Sequence, residues 1–274
     1  MNNLLDIFSY SFMTRAFIVG ILISLCASLI GVSLVLRRNS MIGDGLSHVS
    51  FGAFAIAIVL GITPLYFAIP VSIIVSFLIL KLNDSNIHGD SLIALVSSAS
   101  LAIGTFVVSI VPGVNIDINS YLFGSILSVN NVDVVLSIIL CIFVILLYIF
   151  SYNKIFAITF DSKFAKSIGI KTSLYDAIFS CLCSIVVVLG MRLMGALLIS
   201  SLIIFPTLSS MQLFKKFKSV VIFSVIISII SFIVGLYISF YNSTPTGSTI
   251  VIVNLCLFII FYLFKFIRSK VWKF

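Results

Sequence analysis

The chain has 274 residues, 61% hydrophobic and only 9% charged, with a mean hydropathy of +1.33 and a formal net charge of +8. A soluble domain carries about 25% charged residues, so this composition excludes a water-soluble fold and leaves an all-α polytopic membrane protein, one membrane domain over residues 1–274. The dyad alternation of a membrane β-barrel is absent, and the lysines and arginines read as orientation signals in short loops, not as a nucleic-acid surface.

A membrane span needs about 20 apolar residues. The first runs from Phe12 to Leu36 and ends in Arg37-Arg38; lacking a small-residue cleavage site, it reads as a span, not a removed signal peptide. The second covers Met41–Leu60 and the third Leu65–Leu80, joined by a Gly61–Pro64 turn. A polar loop, 81–91, precedes a fourth span at Leu92–Val111, stopped by Pro112-Gly113. Residues 114–131 are mixed, and Tyr121–Leu127 is too short to span, so it reads as a re-entrant or interfacial helix. The fifth span is Val132–Tyr152, followed by a soluble loop from Asn153 to Thr172. Ser173–Phe214 is too long for one crossing and divides at Gly190, Arg192 and Gly195 into spans six and seven. Pro206 inside the seventh predicts a kink or break. Val220–Tyr241 and Thr249–Ile267 complete about nine spans, with eight to ten possible.

Charge distribution orients this arrangement. With 37–40, 81–90, 153–172, 215–218 and the C-terminus in the cytoplasm, the loops at 61–64, 112–131 and 242–248 contain no lysine or arginine. The N-terminus is then outside and the C-terminus inside, and only Arg192 lies on the wrong side. The five cysteines (Cys26, Cys141, Cys181, Cys183 and Cys256) all sit in apolar runs and read as packing residues.

Two polar residues stand out in the second span. Asp44 and His48 are four apart, which on a helix places them on one face. Ionisable groups at membrane depth carry a cost and point to function, and carboxylate oxygen with imidazole nitrogen suits Zn²⁺, Mn²⁺ or Fe²⁺. Two ligands make a weak site, as a passage requires. Gly43, Gly45 and Gly52 would admit a neighbouring helix or a permeating ion. The competing reading is that Asp44 caps the helix and His48 bonds a neighbour. Asp84 and His88 repeat the spacing in a polar loop, where solvation explains them. Further on, Phe160, Phe164 and Ile168 form an i, i+4, i+8 stripe over Thr159–Gly169, suited to docking on a cytoplasmic partner or to lying on the membrane surface.

Four stretches, VLRRNSMIGDGLSHVSFG, FDSKFAKSIGI, RLMGALLISSLIIFPTLSS and GLYISFYNSTPTGSTIVIV, together resemble the permease subunit of the zinc/manganese/iron class of ABC importers, from about Val19 to Val253. The resemblance implies a type II importer fold with a short cytoplasmic coupling helix. It places the family's metal-passage aspartate and histidine at Asp44 and His48, within Ser40–His48, where Gly45 replaces the usual alanine. It assigns contact with the ATPase to Asp161, Ala165 and Gly169, beside Phe164 of the stripe. It also makes Gly195 and Pro206 part of the permease core. Thr207, Leu208 and Ser209 depart from the alanine-rich run that follows the family's proline.

The partners implied are a separate ATP-binding subunit, an extracytoplasmic metal-binding protein and a second permease copy, in a lipid membrane. The chain contains no G-x-x-x-x-G-K-[ST] loop and should not hydrolyse ATP. The expected role is alternating-access movement of a divalent metal across the cytoplasmic membrane, with the metal as cargo and no tightly bound cofactor. An ion-coupled secondary metal transporter is one rival. An intramembrane aspartyl protease is another: Ile42-Gly43-Asp44 would supply one aspartate, and Asp176 is the candidate for the second.

Overall fold

The computed structural model describes residues 11–83, 89–111, 124 and 129–271. Ten helices fill them: α1 (Ser11–Leu36), α2 (Ile42–Val59), α3 (Pro64–Asn83), α4 (Gly89–Ile110), α5 (Asn131–Phe160), α6 (Ser162–Ser167), α7 (Thr172–Met194), α8 (Ala196–Leu213), α9 (Phe217–Asn242) and α10 (Thr246–Val271). Among these, eight are long and apolar enough to cross a bilayer, and α3 adds a shorter apolar stretch, Pro64–Ile79. The expected re-entrant helix at Tyr121–Leu127 lies outside the described residues, as do Asp84 and His88.

Local chemistry sets the boundaries. Arg38 turns the chain after α1 at φ 60°. Pro64 opens α3, where its missing N–H costs nothing. Asn130 and Asp133 form a reciprocal capping box at the start of α5: the Asn130 side chain accepts from Asp133 N at 2.9 Å, and Asp133 Oδ2 accepts from Asn130 N at 3.0 Å.

Two expectations are corrected here. The fifth helix does not end at Tyr152 but runs 30 residues to Phe160, about 45 Å at 1.5 Å per residue. Nothing in 153–160 breaks a helix, and Phe156 and Phe160 pack their rings against the buried Phe217 of α9. Of the kink or break expected at Pro206, the break does not occur: α8 is continuous from Ala196 to Leu213.

α1 sits at the centre, packed on α5, α7, α8 and α9, whereas α4 and α10 are peripheral. Without a hydrophobic force between helices in lipid, close packing at small residues and hydroxyl bonds must join them. Gly20 receives the ring of Phe232, and Gly31 lies against the Ile203 carbonyl. Buried serines link α2, α3 and α7 through Ser50–Ser72 (3.2 Å), Ser76–Ser180 (2.7 Å) and Ser184 Oγ to the Ser72 carbonyl (3.0 Å). Ser33 and Tyr148 tie α1 to α5 at 3.0 Å, and Ser228 donates to the Ser24 carbonyl at 2.9 Å to tie α9 to α1. Each such bond is worth only about 0.6 kcal/mol in a bilayer, so the array fixes relative position more than it adds stability. The cysteines among the described residues are free thiols.

Candidate functional site

Both halves of the Asp44–His48 pair stand on the first two turns of α2. Met41 occupies the cap position with no side-chain bond, so Asp44 does not cap the helix. Asp44 Oδ2 lies 3.8 Å from His48 Nε2, and the two side chains are 41% and 22% exposed. That separation is too long for a hydrogen bond.

The neighbouring glycines set how close the other helices come. A Cβ on Gly43 would stand 2.6 Å from Ile203 Cδ1 of α8, and one on Gly52 would stand 2.7 Å from the Ser100 carbonyl of α4. One on Gly45 would meet Ile93 Cγ2 of α4 at 2.7 Å. α2 is therefore held between α8 and α4: at Gly52 a side chain would meet backbone and push α4 away, whereas at Gly43 and Gly45 it is an isoleucine methyl that would have to move. On the α8 side, Ser200 Oγ lies 3.3 Å from Asp44 Oδ1 and also donates to the Ala196 carbonyl at 3.1 Å. Ser200 is 156 residues from Asp44 and had no signal in the sequence.

Gly195 joins α7 to α8 with φ 88° and ψ 159°, a region essentially reserved for glycine. Its N–H closes α7 on Met191 O at 2.8 Å, and its carbonyl accepts from Ile199 N at 3.3 Å in the first turn of α8. Ser200 thus begins one turn from a fixed joint. Next to that joint, Arg192 Nη1 pairs with Asp133 Oδ1 at 3.0 Å, with the carboxylate 1% exposed. Arg192, the residue that violated the charge rule, is held by this pair. Sequence reading missed Asp133; its signal was the N-x-x-D pattern of the capping box. Pro206 gives its carbonyl to Ser224 Oγ of α9 at 3.4 Å.

At the other candidate surface, the apolar stripe is not on one helix. Asp161 adopts extended dihedrals (φ −151°, ψ 97°) and separates Phe160, the last residue of α5, from α6. The helical periodicity across 159–169 breaks there because the Asp161 carboxylate caps α6, accepting from Lys163 N and Phe164 N at 3.0 and 2.9 Å. Phe160, Phe164 and Ile168 are nevertheless all more than half exposed. Ala165 is fully buried. Gly169 ends the motif at φ 85°, with Ile170 N bonded to Ala165 O and Gly169 N to Lys166 O, both 3.1 Å, the Schellman closure. The D-x-x-x-A-x-x-x-G spacing therefore has a structural cause: cap, buried small residue, left-handed stop. Elsewhere, Asp176, which a protease reading would need beside Asp44, is engaged by Arg37 at 2.8 Å.

A multi-helix membrane bundle with a polar pair on one inner helix and a short capped helix between two spans is the architecture of a transport permease. Over residues 9–265 the chain matches the model of the ABC 3 transport family, and it belongs to that family. It is 32% identical over 249 residues to a probable metal transport system membrane protein of Thermotoga maritima, covering 90% of this chain and 88% of that one. It is 30% identical over 247 residues to the high-affinity zinc uptake system membrane protein ZnuB of Haemophilus influenzae, covering 89% and 94%. The structure of PsaBC from Streptococcus pneumoniae in complex with a Fab superposes with a TM-score of 0.82 at 25% identity, covering 94% of this chain and 92% of that one.

Proposed function

We infer that the chain is the membrane permease of an ATP-driven importer for a divalent transition metal, with Asp44 and His48 as ligands on the passage. The carrying observation is the carboxylate–imidazole pair on one face of α2, with its facing atoms 3.8 Å apart. Membership of the ABC 3 transport family, with relatives named for metal and zinc transport, supports it. Two ligands give a weak hold, so a dehydrated cation gains replacement donors without being trapped. Zinc, manganese and iron all suit an oxygen–nitrogen pair.

ATP hydrolysis belongs to a separate subunit in this reading, and an extracytoplasmic binding protein delivers the ion. A second permease copy completes the assembly, with the N-terminus outside and the C-terminus in the cytoplasm. α6 is the coupling helix: Asp161 and Gly169 fix its ends, Ala165 seats it, and Phe164 presents an apolar surface to the ATPase. An ion-coupled secondary transporter would have no use for such a helix, and ABC-family membership disfavours that rival.

The test is metal uptake into proteoliposomes holding the full transporter. His48→Ala should abolish ATP-dependent uptake while the permease still copurifies with its ATPase. Wild-type uptake by that variant removes the pair from the passage.

A further inference from the structure

We propose that Ser200 is the third member of the metal passage, a hydroxyl from α8 that completes the α2 pair and biases it toward harder cations. The proposal rests on the reading that Asp44 and His48 handle the ion. Among the described residues, no three His, Cys, Asp or Glu side chains cluster, so within this chain a third donor at the pair is sought among neutral groups. Ser200 is placed beside Asp44 to supply a neutral oxygen. Each oxygen of the Asp44 carboxylate has a neighbour, with Oδ2 3.8 Å from His48 Nε2 and Oδ1 3.3 Å from Ser200 Oγ.

A serine hydroxyl has one proton and two lone pairs. The structure gives that proton two acceptors, Asp44 Oδ1 at 3.3 Å and the Ala196 carbonyl at 3.1 Å. With no cation present, the proton can be shared with the carboxylate, which holds Asp44 toward α8. When a cation takes the carboxylate charge, the proton turns fully to Ala196 O and a lone pair of Oγ faces the ion. No proton leaves and no bond to carbon changes; only a hydroxyl rotates.

The resulting donor set is oxygen, nitrogen, oxygen, drawn from two helices. Hydroxyl oxygen favours harder ions such as Mn²⁺ over softer ones. Because α8 leaves the Gly195 joint one turn before Ser200, any movement of α8 against α2 pulls the third donor away. Capture and release of the ion would then follow the separation of these two helices.

Equilibrium binding of Mn²⁺ and Cd²⁺ to the solubilised permease–ATPase complex tests this without the delivery protein. Ser200→Ala should weaken Mn²⁺ binding roughly 10- to 100-fold, the range seen when groups around a metal are removed, and Ser200→Thr should restore it. Ser200→Cys should reverse the preference toward Cd²⁺ and add a thiolate-to-cadmium absorption band that Asp44→Asn abolishes in the double variant. A purely structural serine would change stability but neither the metal ratio nor the spectrum. Unchanged Mn²⁺ affinity in Ser200→Ala, or a Ser200→Cys protein without the ratio change and band, overturns the proposal. If Asp44→Asn and His48→Ala also bind and transport as wild type, the passage reading itself has failed; if they fail while the Ser200 variants do not, only this inference has.

Discussion

Gly195 offers a test in which one added methyl group probes the joint that carries α8 to the site. Its φ of 88° and ψ of 159° bring a Cβ into collision with its own backbone, and a residue held there costs about 1–3 kcal/mol. Gly195→Ala should therefore destabilise by that amount. Gly195→Asn should not rescue it, because the left-handed well that asparagine tolerates has ψ near 47°, far from 159°. Gly169 supplies the internal control. It too has positive φ, 85°, but sits at the Schellman position with open space around it. Asparagine suits that position, and Gly169→Asn should cost less than about 1 kcal/mol. Denaturant unfolding of the purified complex, followed by a tertiary-structure probe, reads both. If the backbone instead relaxes at Gly195, α8 turns relative to α7, and metal uptake falls while stability holds. Equal stability losses for the two asparagine variants, or a Gly195→Asn protein with normal stability and normal uptake, would refute the reasoning.

Two further outcomes follow from the ion pair and the coupling segment. Arg192→Met should cost about 3 kcal/mol, because it strands a carboxylate that is 1% exposed. Asp133→Asn should cost less, since Arg192 is one-third exposed and can turn to solvent; a double-mutant cycle on the unfolding free energy checks the order. Asp161→Ala removes the cap of a six-residue helix, worth about 1 kcal/mol, and a helix that short has little else to hold it. Uptake should drop while metal binding to the complex stays intact, as measured by transport beside equilibrium binding.

Much of the fold was legible because lipid imposes a simple code. A span must be long and apolar, its ends carry charge or turn residues, and these marks fix α1 to α4 and α7 to α10 to within a few residues. The coupling segment shows where the code weakens. The apolar stripe Phe160–Phe164–Ile168 suggested one helix, yet an aspartate able to accept two backbone N–H groups stops α5 and starts α6. Its end at Gly169 was visible because a left-handed stop calls for glycine.

The sequence by itself determined the class, the spans and the pair Asp44–His48, since hydrophobic length and one-turn spacing are properties of neighbouring residues. Tertiary structure decided what meets that pair. Ser200 reaches Asp44 across 156 residues, and Asp133 neutralises Arg192 across 59. Both contacts depend on helix packing at glycines and buried hydroxyls, a geometry that no local pattern encodes.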